Sequence, residues 1–374
     1  MARFATAYSD KLIEEDAVKE VSLKIKRLLP RSIGLTFVFF TSPYRPTIIQ
    51  RIMSVTLTPE NFVGIEVPAL IYEGKISERG IVVVCISAGS VGSEVSFIKE
   101  DKPEEIEIVI RRAIQKLKTF SFSLGFLAPS INPYNYLAGT KFGLGKNANI
   151  VTAGFEPRRS EHAQIFNTNI GAGVLYVWMT QGALLHWEKV SGFFPVGRPF
   201  TFTKVDVKRK VILEIDNHPA AGIYKRYLEE KFEIFKKKKF FYIFPLGVKA
   251  EKTHRLLNIV NILEDDSLHY IGELKEGEEG TLMVINEEAL KEDTERIVNS
   301  IKTKMNPRLV IVVSSLLRRQ LLKNESAVEL ALIKELMGQE TEVVGFYTDY
   351  QVVFDKTIKE FIIEKGNLYL ISLE

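Results

Sequence analysis

Segments with helical periodicity alternate along this chain with short apolar segments in a recurring order, and this order restricts the possible folds more than any other feature. Over residues 16–29 apolar side chains recur at helical spacing, and a proline ends the pattern. The run LTFVFF at 35–40 is too short for a helix and is predicted to form a buried strand. A proline-initiated helix at 46–55 and strands at 62–71 and 81–86 complete the order helix–strand–helix–strand–strand.

The same order returns twice more. The second copy is predicted as a helix at 104–118, a strand at 121–127, a helix at 134–142 and strands at 149–155, 164–168 and 173–179. The C-terminal copy is predicted as a helix at 288–304, a strand at 309–314, a helix at 326–337 and strands at 342–354 and 368–373. A degenerate fourth copy is predicted at 220–274. We therefore expect a mixed α/β (α+β) fold, in which duplicated units pack as layered αββα-like sheets with outer helices.

A chain of 374 residues exceeds one typical hydrophobic core, so two domains are expected. The stretch 186–216 differs from its surroundings, because it is rich in glycine, proline and alternating apolar residues. We place the domain boundary within it, which gives an N-terminal domain at 1–210 and a C-terminal domain at 211–374.

Composition excludes several classes of protein. With 50 basic and 47 acidic side chains, the chain lacks the basic excess of a dedicated nucleic-acid binder. Its apolar runs are far shorter than a membrane span, and its N-terminus resembles no targeting signal, so a cytoplasmic location is expected. Abundant Lys, Glu and Ile with a single cysteine, Cys85, are typical of proteins from heat-loving organisms.

Signals for catalysis, metals and cofactors are weak. The five histidines lack metal-ligand spacing, and Cys85 lies inside an apolar strand as a small hydrophobe would. The segment GLGKNA at 143–148 fits a dinucleotide fingerprint only formally, because it leaves a helix and enters a strand. We expect no metal and no cofactor. A hydrolase would need Ser314 or Ser315 as nucleophile, and no histidine is obviously paired with either.

Polar residues near predicted strand ends are the candidate ligand contacts, because loops at strand ends expose groups that bind small molecules. An arginine there can hold a carboxylate through two parallel hydrogen bonds. The candidates are Arg158, Arg198, Asn217, Arg318 and Tyr347.

Several blocks of this sequence resemble the FIST family (F-box and intracellular signal transduction proteins), with both its N-terminal and its C-terminal domain. The chain opens with AYSDKLIEEDAVKEV, similar to the family's serine–acidic start, and its most specific block is GFFPVGRPFTFTKVDVKRKVILEIDNHPAAGIYKRYL at 192–228. The positions that match the family's glycine and proline pattern are Gly64, Gly154, Pro195, Gly197, Pro219, Pro245, Gly247 and Gly345. Departures include Ser315 where the family commonly has cysteine, and Gln351 in place of glutamate.

The resemblance implies an intracellular sensory protein that binds a small ligand, such as an amino acid or a small carboxylate, between its two domains. It does not carry over a ubiquitin-ligase role, because the chain contains no F-box. Two alternatives stay open. A protein–protein scaffold would expose an apolar patch, for which Phe193 and Phe194 are candidates, and an unrecognised hydrolase would need an acid–base pair beside a nucleophile.

Overall fold

The first of three structural repeats shows how the sequence pattern becomes a sheet. The computed structural model describes residues 4–30, 32–117, 120–145, 149–158, 162–180, 184–250, 254–355 and 359–374. The elements of repeat 1 are β1 (Phe4–Ser9), α1 (Glu14–Leu28), β2 (Ile33–Phe40), α2 (Pro46–Leu57), β3 (Asn61–Glu66), β4 (Leu70–Tyr72), β5 (Lys75–Ser77) and β6 (Ile81–Ser87). Every residue of β2 and β6 is buried, as the continuous apolar runs predict.

Repeat 2 has the same order of elements. They are β7 (Ser93–Ile98), α3 (Pro103–Leu117), β8 (Phe120–Leu127), α4 (Pro133–Leu144), β9 (Ile150–Gly154), β10 (Gln164–Phe166), β11 (Asn169–Gly171) and β12 (Val174–Thr180). The side chain of Asn132 caps α4 by accepting from the Tyr134 N–H. The helix ends before Gly145, whose φ is +61°, and residues 146–148 of the glycine-rich segment lie outside the described residues.

Repeat 3 begins with β13 (Leu185–Val190) and is then interrupted by residues 193–285, which we call the insert. The elements of the insert are β14 (Phe193–Asp206), β15 (Val211–Ile215), β16 (His218–Pro219), α5 (Gly222–Leu228), α6 (Phe232–Lys238), β17 (Leu246–Lys249), β18 (His254–Ile262), β19 (Leu268–Ile271) and β20 (Glu279–Ile285). Its seven strands form one sheet, and its apolar side chains form a separate core that includes Phe202, Tyr224, Phe235 and Leu257.

The rest of repeat 3 follows the insert. It consists of α7 (Glu287–Lys304), β21 (Leu309–Ser315), α8 (Leu316–Leu322), α9 (Glu325–Met337), β22 (Glu342–Thr348), β23 (Tyr350–Asp355), β24 (Glu360–Glu364) and β25 (Leu368–Leu373). The Asn286 side chain caps α7 by accepting from the Ala289 N–H.

The three repeats exchange hairpins in a cycle. Each repeat builds a six-stranded sheet in which two parallel strands lie at the centre, and the last two strands come from another repeat. The hairpin β4–β5 of repeat 1 joins the sheet of repeat 3, β10–β11 of repeat 2 joins that of repeat 1, and β23–β24 of repeat 3 joins that of repeat 2. Each repeat therefore completes its sheet only with a hairpin from one other repeat, and the cycle links all three.

A single apolar core lies where the three sheets face one another. Phe39, Phe126 and Phe346 come from different repeats, and their ring centroids lie 4.5–6.4 Å apart. The helices cover the outer faces, where α1 and α2 pack on the sheet of repeat 1 and α3 and α4 on that of repeat 2. The predicted mixed α/β fold with outer helices is confirmed.

Each of the three sheets has one glycine on the strand that pairs with the hairpin from another repeat. Gly64 is paired with Ile165, and a Cβ on Gly64 would lie 2.7 Å from that side chain. Gly154 is paired with Tyr350, and a Cβ there would lie 2.0 Å from the tyrosine ring. A Cβ on Gly345 would lie 2.0 Å from the carbonyl oxygen of Val312 on the neighbouring parallel strand. At these three positions of the family pattern, the neighbouring strand of the same sheet lies too close for a side chain.

Some sequence predictions need correction. The predicted strand 62–71 is two strands, β3 and β4, which belong to different sheets, because Val67 and Pro68 carry the chain from one sheet to the other. The predicted fourth copy at 220–274 is wrong, since this part of the insert forms two short helices and antiparallel strands. The boundary between 1–210 and 211–374 stays a prediction, and it falls between β14 and β15. Among the described residues, no helix has the length and apolar character needed to cross a bilayer.

Candidate functional site

A cleft of about 820 Å³ lies between the insert and repeat 3, and we call it the insert cleft. Strand β13, helix α7 and the β23–β24 hairpin form one wall, and β17 and β18 of the insert form the other. Its lining combines ammonium, guanidinium and carboxylate groups with the apolar side chains of Phe193, Phe194 and Pro195. A site of this size and mixed polarity is suited to a small molecule.

The chain enters the insert through a hydrogen-bonded turn at the edge of this cleft. The Asp293 carboxylate on α7 accepts hydrogen bonds from the N–H groups of Ser191 (2.8 Å) and Gly192 (3.0 Å). Gly192 has a φ of +70°, which glycine adopts without strain. Arg318 donates to the Ser191 carbonyl at 2.5 Å. These contacts fix the start of the insert relative to repeat 3.

A buried carboxylate, that of Glu364, is bonded to two residues that line the insert cleft. Glu364 is 2% exposed, and it accepts hydrogen bonds from Lys189 (2.9 Å), from Asn367 (2.9 Å) and, over a short distance, from Tyr369. Burial lowers the pKa of Lys189, but the charge and hydrogen bond of Glu364, together with the charges of Asp355 and Asp293, raise it by more, so the ammonium stays charged. Burial and the same carboxylate raise the pKa of Tyr369. Lys189 and Tyr369 line the cleft, so a ligand there would meet a fixed ammonium group.

A second carboxylate, Glu188, lies on the same wall between two basic groups. It accepts hydrogen bonds from His186 Nε2 (2.8 Å) and from Lys304 Nζ (2.6 Å). The hydrogen bond from His186, followed by that from Lys304, lowers the pKa of Glu188 to about 2 despite its partial burial. Glu188 is therefore ionised throughout the neutral range.

Arg255 occupies the opposite wall. It is 7% exposed, and its Nη1 donates to the Glu273 carbonyl over a short distance. Its Nη2 lies 4.0 Å from the nearer oxygen of Glu278, which is beyond hydrogen-bond distance. Neighbouring His254 has a lowered pKa, because of burial and the charge of Lys249. Arg255 thus presents a buried guanidinium on the wall of the insert cleft, and its Nη2 is available to an incoming anion.

The predicted ligand contacts lie elsewhere, in three separate places. Arg158 is paired with Asp349 at 2.6 Å, beside a smaller cavity of about 190 Å³ that His162 also lines. Arg198 and Asn217 are exposed on the insert, and the Asn217 N–H donates to Thr203 Oγ1 at 2.9 Å in a turn where its φ is +61°.

The structure brings Arg318 and Tyr347 near each other, but both are about 1% exposed. The Nε and Nη2 atoms of Arg318 donate to the two carboxylate oxygens of Glu329, at 3.0 and 2.6 Å. Burial raises the pKa of Tyr347, and the guanidinium of Arg319 lies 5.6 Å from the centre of its ring. Among the described lining residues of the insert cleft, none of the five predicted contacts occurs, and their binding role stays a prediction.

The remaining positions of the family's glycine and proline pattern have structural roles in the part of the chain that the structure describes. Gly197 has a φ of +76° and packs against Tyr227, while Gly247 packs against Met283 so closely that a Cβ would lie 2.5 Å from its sulfur. Pro195 lines the insert cleft, Pro219 lies in β16, and Pro245 precedes β17.

The two departures from the family pattern are both fully buried. Ser315 caps α8 by accepting from the Leu317 N–H at 3.2 Å. Gln351 lies on β23, one of the borrowed strands.

The alternatives gain no support from their candidate residues. Ser314 and Ser315 are at most 2% exposed, and neither has a histidine partner among the described residues. Phe193 and Phe194 are half-buried and line the insert cleft instead of forming an exposed patch. The described residues contain no group of three side chains suited to hold a metal ion.

The residues that form the insert cleft were not predicted from the sequence. Lys189, Arg255 and Arg296 lie far apart along the chain and outside the blocks that resemble the family. One signal could have indicated them: the strands HWEKV and HRLLNIV carry charged residues among apolar ones.

Comparisons with known proteins were made for sequence and for structure. The family described as the FIST N domain matches residues 34–218, and the FIST C domain matches residues 220–349. No curated protein sequence matches the chain. Two solved structures of cyanuric acid hydrolase, one of them from A. caulinodans, are each 8% identical and cover 100% of both chains, with TM-scores of 0.37 and 0.38. Likeness at that level supports no argument about shared activity.

Proposed function

This chain belongs to the FIST family of sensory, signal-transduction domains, and we propose that it senses a small ligand with a carboxylate group, such as an amino acid or a small carboxylic acid. The proposed binding site is the insert cleft. A cytoplasmic location and a source in a heat-loving organism stay predictions of the sequence.

The observation that carries the proposal is the guanidinium of Arg255. It is nine-tenths buried on the wall of a cleft of about 820 Å³, and its Nη2 is 4.0 Å from the nearest oxygen of its paired carboxylate. An arginine held in this way can donate a charge-assisted hydrogen bond to a carboxylate, and it loses little side-chain entropy on binding because it is already packed.

Charges of both signs on the opposite wall favour an amino acid among carboxylate ligands. Glu188, Glu292 and Asp293 line this wall together with Lys189 and Arg296. A ligand ammonium group can be held by the carboxylates while its own carboxylate contacts Arg255, which would join the two walls. A ligand that joins the insert to repeat 3 would also transmit its presence to the insert, as a sensor requires.

Thermal-shift measurements on the full chain test the proposal. We expect stabilisation by individual amino acids or short mono- and dicarboxylic acids, because a ligand at 100 times its Kd adds about 2.7 kcal/mol to the free energy of unfolding. Matched amides and esters, which lack the carboxylate, should not stabilise the protein. No stabilisation across the acids would contradict the proposal.

Two lysine substitutions locate the site. Arg255→Lys keeps the charge but loses the planar fork, and we expect ligand affinity to fall at least about tenfold, since a hydrogen bond to a charged group contributes about 1.5–3 kcal/mol. Arg198→Lys is the matched variant, because Arg198 is exposed on the insert away from the insert cleft. Loss of affinity in Arg198→Lys alone would instead support the contact predicted from the sequence.

A further inference from the structure

Four consecutive lysines at the end of α6, Lys236–Lys239, form what we call the lysine patch. The side chains of residues 237–239 are exposed, and that of Lys236 is half-buried. Among the described residues, none of the four has a carboxylate within 4.0 Å. By contrast, Lys19, Lys116 and Lys141 on the repeats are each paired with a glutamate.

The lysine patch is held on a rigid base. Phe232 and Phe235 of α6 are 4% exposed and pack in the core of the insert, so the helix cannot rotate to bury its charges. Ile234 lies between them and is 58% exposed. Because residues three and four apart share a helix face, Ile234 projects beside Lys237 and Lys238. An exposed aliphatic side chain next to unpaired lysines thus marks one surface of the insert.

Nearby acidic residues do not neutralise this surface. Glu229 and Glu230 precede α6, and Glu233, which shares a helix face with Lys236 and Lys237, has no lysine of the patch within 4.0 Å of its carboxylate. The positive charge is therefore concentrated at the end of the helix, where it also meets the negative end of the helix dipole. Lys238 lies 5.9 Å from the centre of the Phe240 ring, which leaves its charge unchanged.

We propose that the lysine patch docks the protein on an anionic membrane surface. Lysines near such a surface attract acidic lipid headgroups, and one aliphatic side chain can enter the boundary between headgroups and acyl chains. A single-stranded RNA site would instead need exposed aromatic side chains on which bases stack. Here Phe241 is buried and Phe240 and Tyr242 are half-buried, with Phe240 packed against the core of the insert. Docking through the insert would place the lipid surface on the unit that forms one wall of the insert cleft.

Vesicle co-sedimentation of the full chain tests this proposal. We expect binding to phosphatidylcholine vesicles that contain about 30% phosphatidylserine, little binding to phosphatidylcholine alone, and loss of binding at about 0.5 M salt. The triple variant Lys237→Gln, Lys238→Gln, Lys239→Gln should bind at least about tenfold more weakly. Ile234→Ser should weaken binding in the same direction, because it removes the inserting group.

The matched control is the triple variant Lys19→Gln, Lys116→Gln, Lys141→Gln, which changes the net charge by the same amount on the repeats. It should bind acidic vesicles as the wild type does, and circular dichroism checks that both variants fold. Equal binding by the two triple variants, or equal binding to neutral and acidic vesicles, would overturn the proposal. So would tighter binding to single-stranded RNA than to acidic vesicles at the same salt concentration.

Discussion

Replacing Arg318 by methionine removes the most heavily bonded buried charge in repeat 3. The guanidinium donates to Glu329 at 2.6 and 3.0 Å, to the Ser191 carbonyl at 2.5 Å and to the Gly366 carbonyl at 3.0 Å. Glu329 is 3% exposed, so the substitution leaves a carboxylate buried without its cation. Methionine fills much of the space with an unbranched apolar chain, so loss of the charge dominates over loss of volume.

The expected cost follows from these contacts. Removal of one partner of a buried ion pair costs about 3–5 kcal/mol, because the remaining charge is neither paired nor hydrated. We expect Arg318→Met to lower the free energy of unfolding by about 4 kcal/mol. The double variant Arg318→Met, Glu329→Leu should recover most of the loss, since replacement of a whole buried pair by apolar residues is often close to neutral.

Urea unfolding followed by circular dichroism measures these differences at neutral pH. Arg319→Met is the matched control, because the Arg319 side chain is 28% exposed and its partner Glu78 is 75% exposed. A pair so open to solvent contributes at most about 1 kcal/mol.

A loss below about 1 kcal/mol in Arg318→Met, or no recovery in the double variant, would refute the structural role of the pair. A stable Arg318→Met protein that no longer binds ligand would establish the contact predicted from the sequence.

Three further measurements test other parts of the structure. Gly154→Ala should lower the free energy of unfolding by about 1–3 kcal/mol in urea titrations, because its Cβ would lie 2.0 Å from the Tyr350 ring, whereas Gly222→Ala, with open space around it, should not. Glu188→Gln should lower the free energy of unfolding by at most about 3 kcal/mol at pH 7. Because folding lowers the pKa of Glu188 from 4.5 to about 2, this difference from the wild type should shrink as the pH of the urea titration falls below 4.5. Burial raises the pKa of the Cys85 thiol to about 12, so a thiol reagent should label it only after denaturation.

The order of helices and strands was determined by the sequence. Apolar side chains at helical spacing predicted α1, α3 and α7 to within two residues at each end, because helical periodicity records which face of a helix is buried. The final strand, Leu368–Leu373, was predicted with its observed ends. The family blocks also identified Gly64, Gly154 and Gly345, whose role as points of close packing became clear only when their neighbours were located.

The short hairpins were predicted only in part, and the strands β1, β7 and β13 were not predicted. Strand β1 has no long apolar run, and β4 with β5 comprises six residues around a turn at Glu73 and Gly74. Which sheet receives a hairpin cannot be read from local sequence, because all three repeats offer an equivalent strand edge. Packing between side chains distant in the sequence decides that pairing.

The candidate site shows the same division between sequence and tertiary structure. From the sequence alone, Arg318 and Arg255 are each as consistent with a ligand contact as with an internal ion pair. Only the fold places a carboxylate 2.6 Å from Arg318 and leaves the carboxylate beside Arg255 at 4.0 Å. The sequence therefore determined the main helices and strands of the repeats, the fold class and the family. Tertiary structure decided which charges are paired, because an ion pair depends on the distance between residues that the chain order does not bring together.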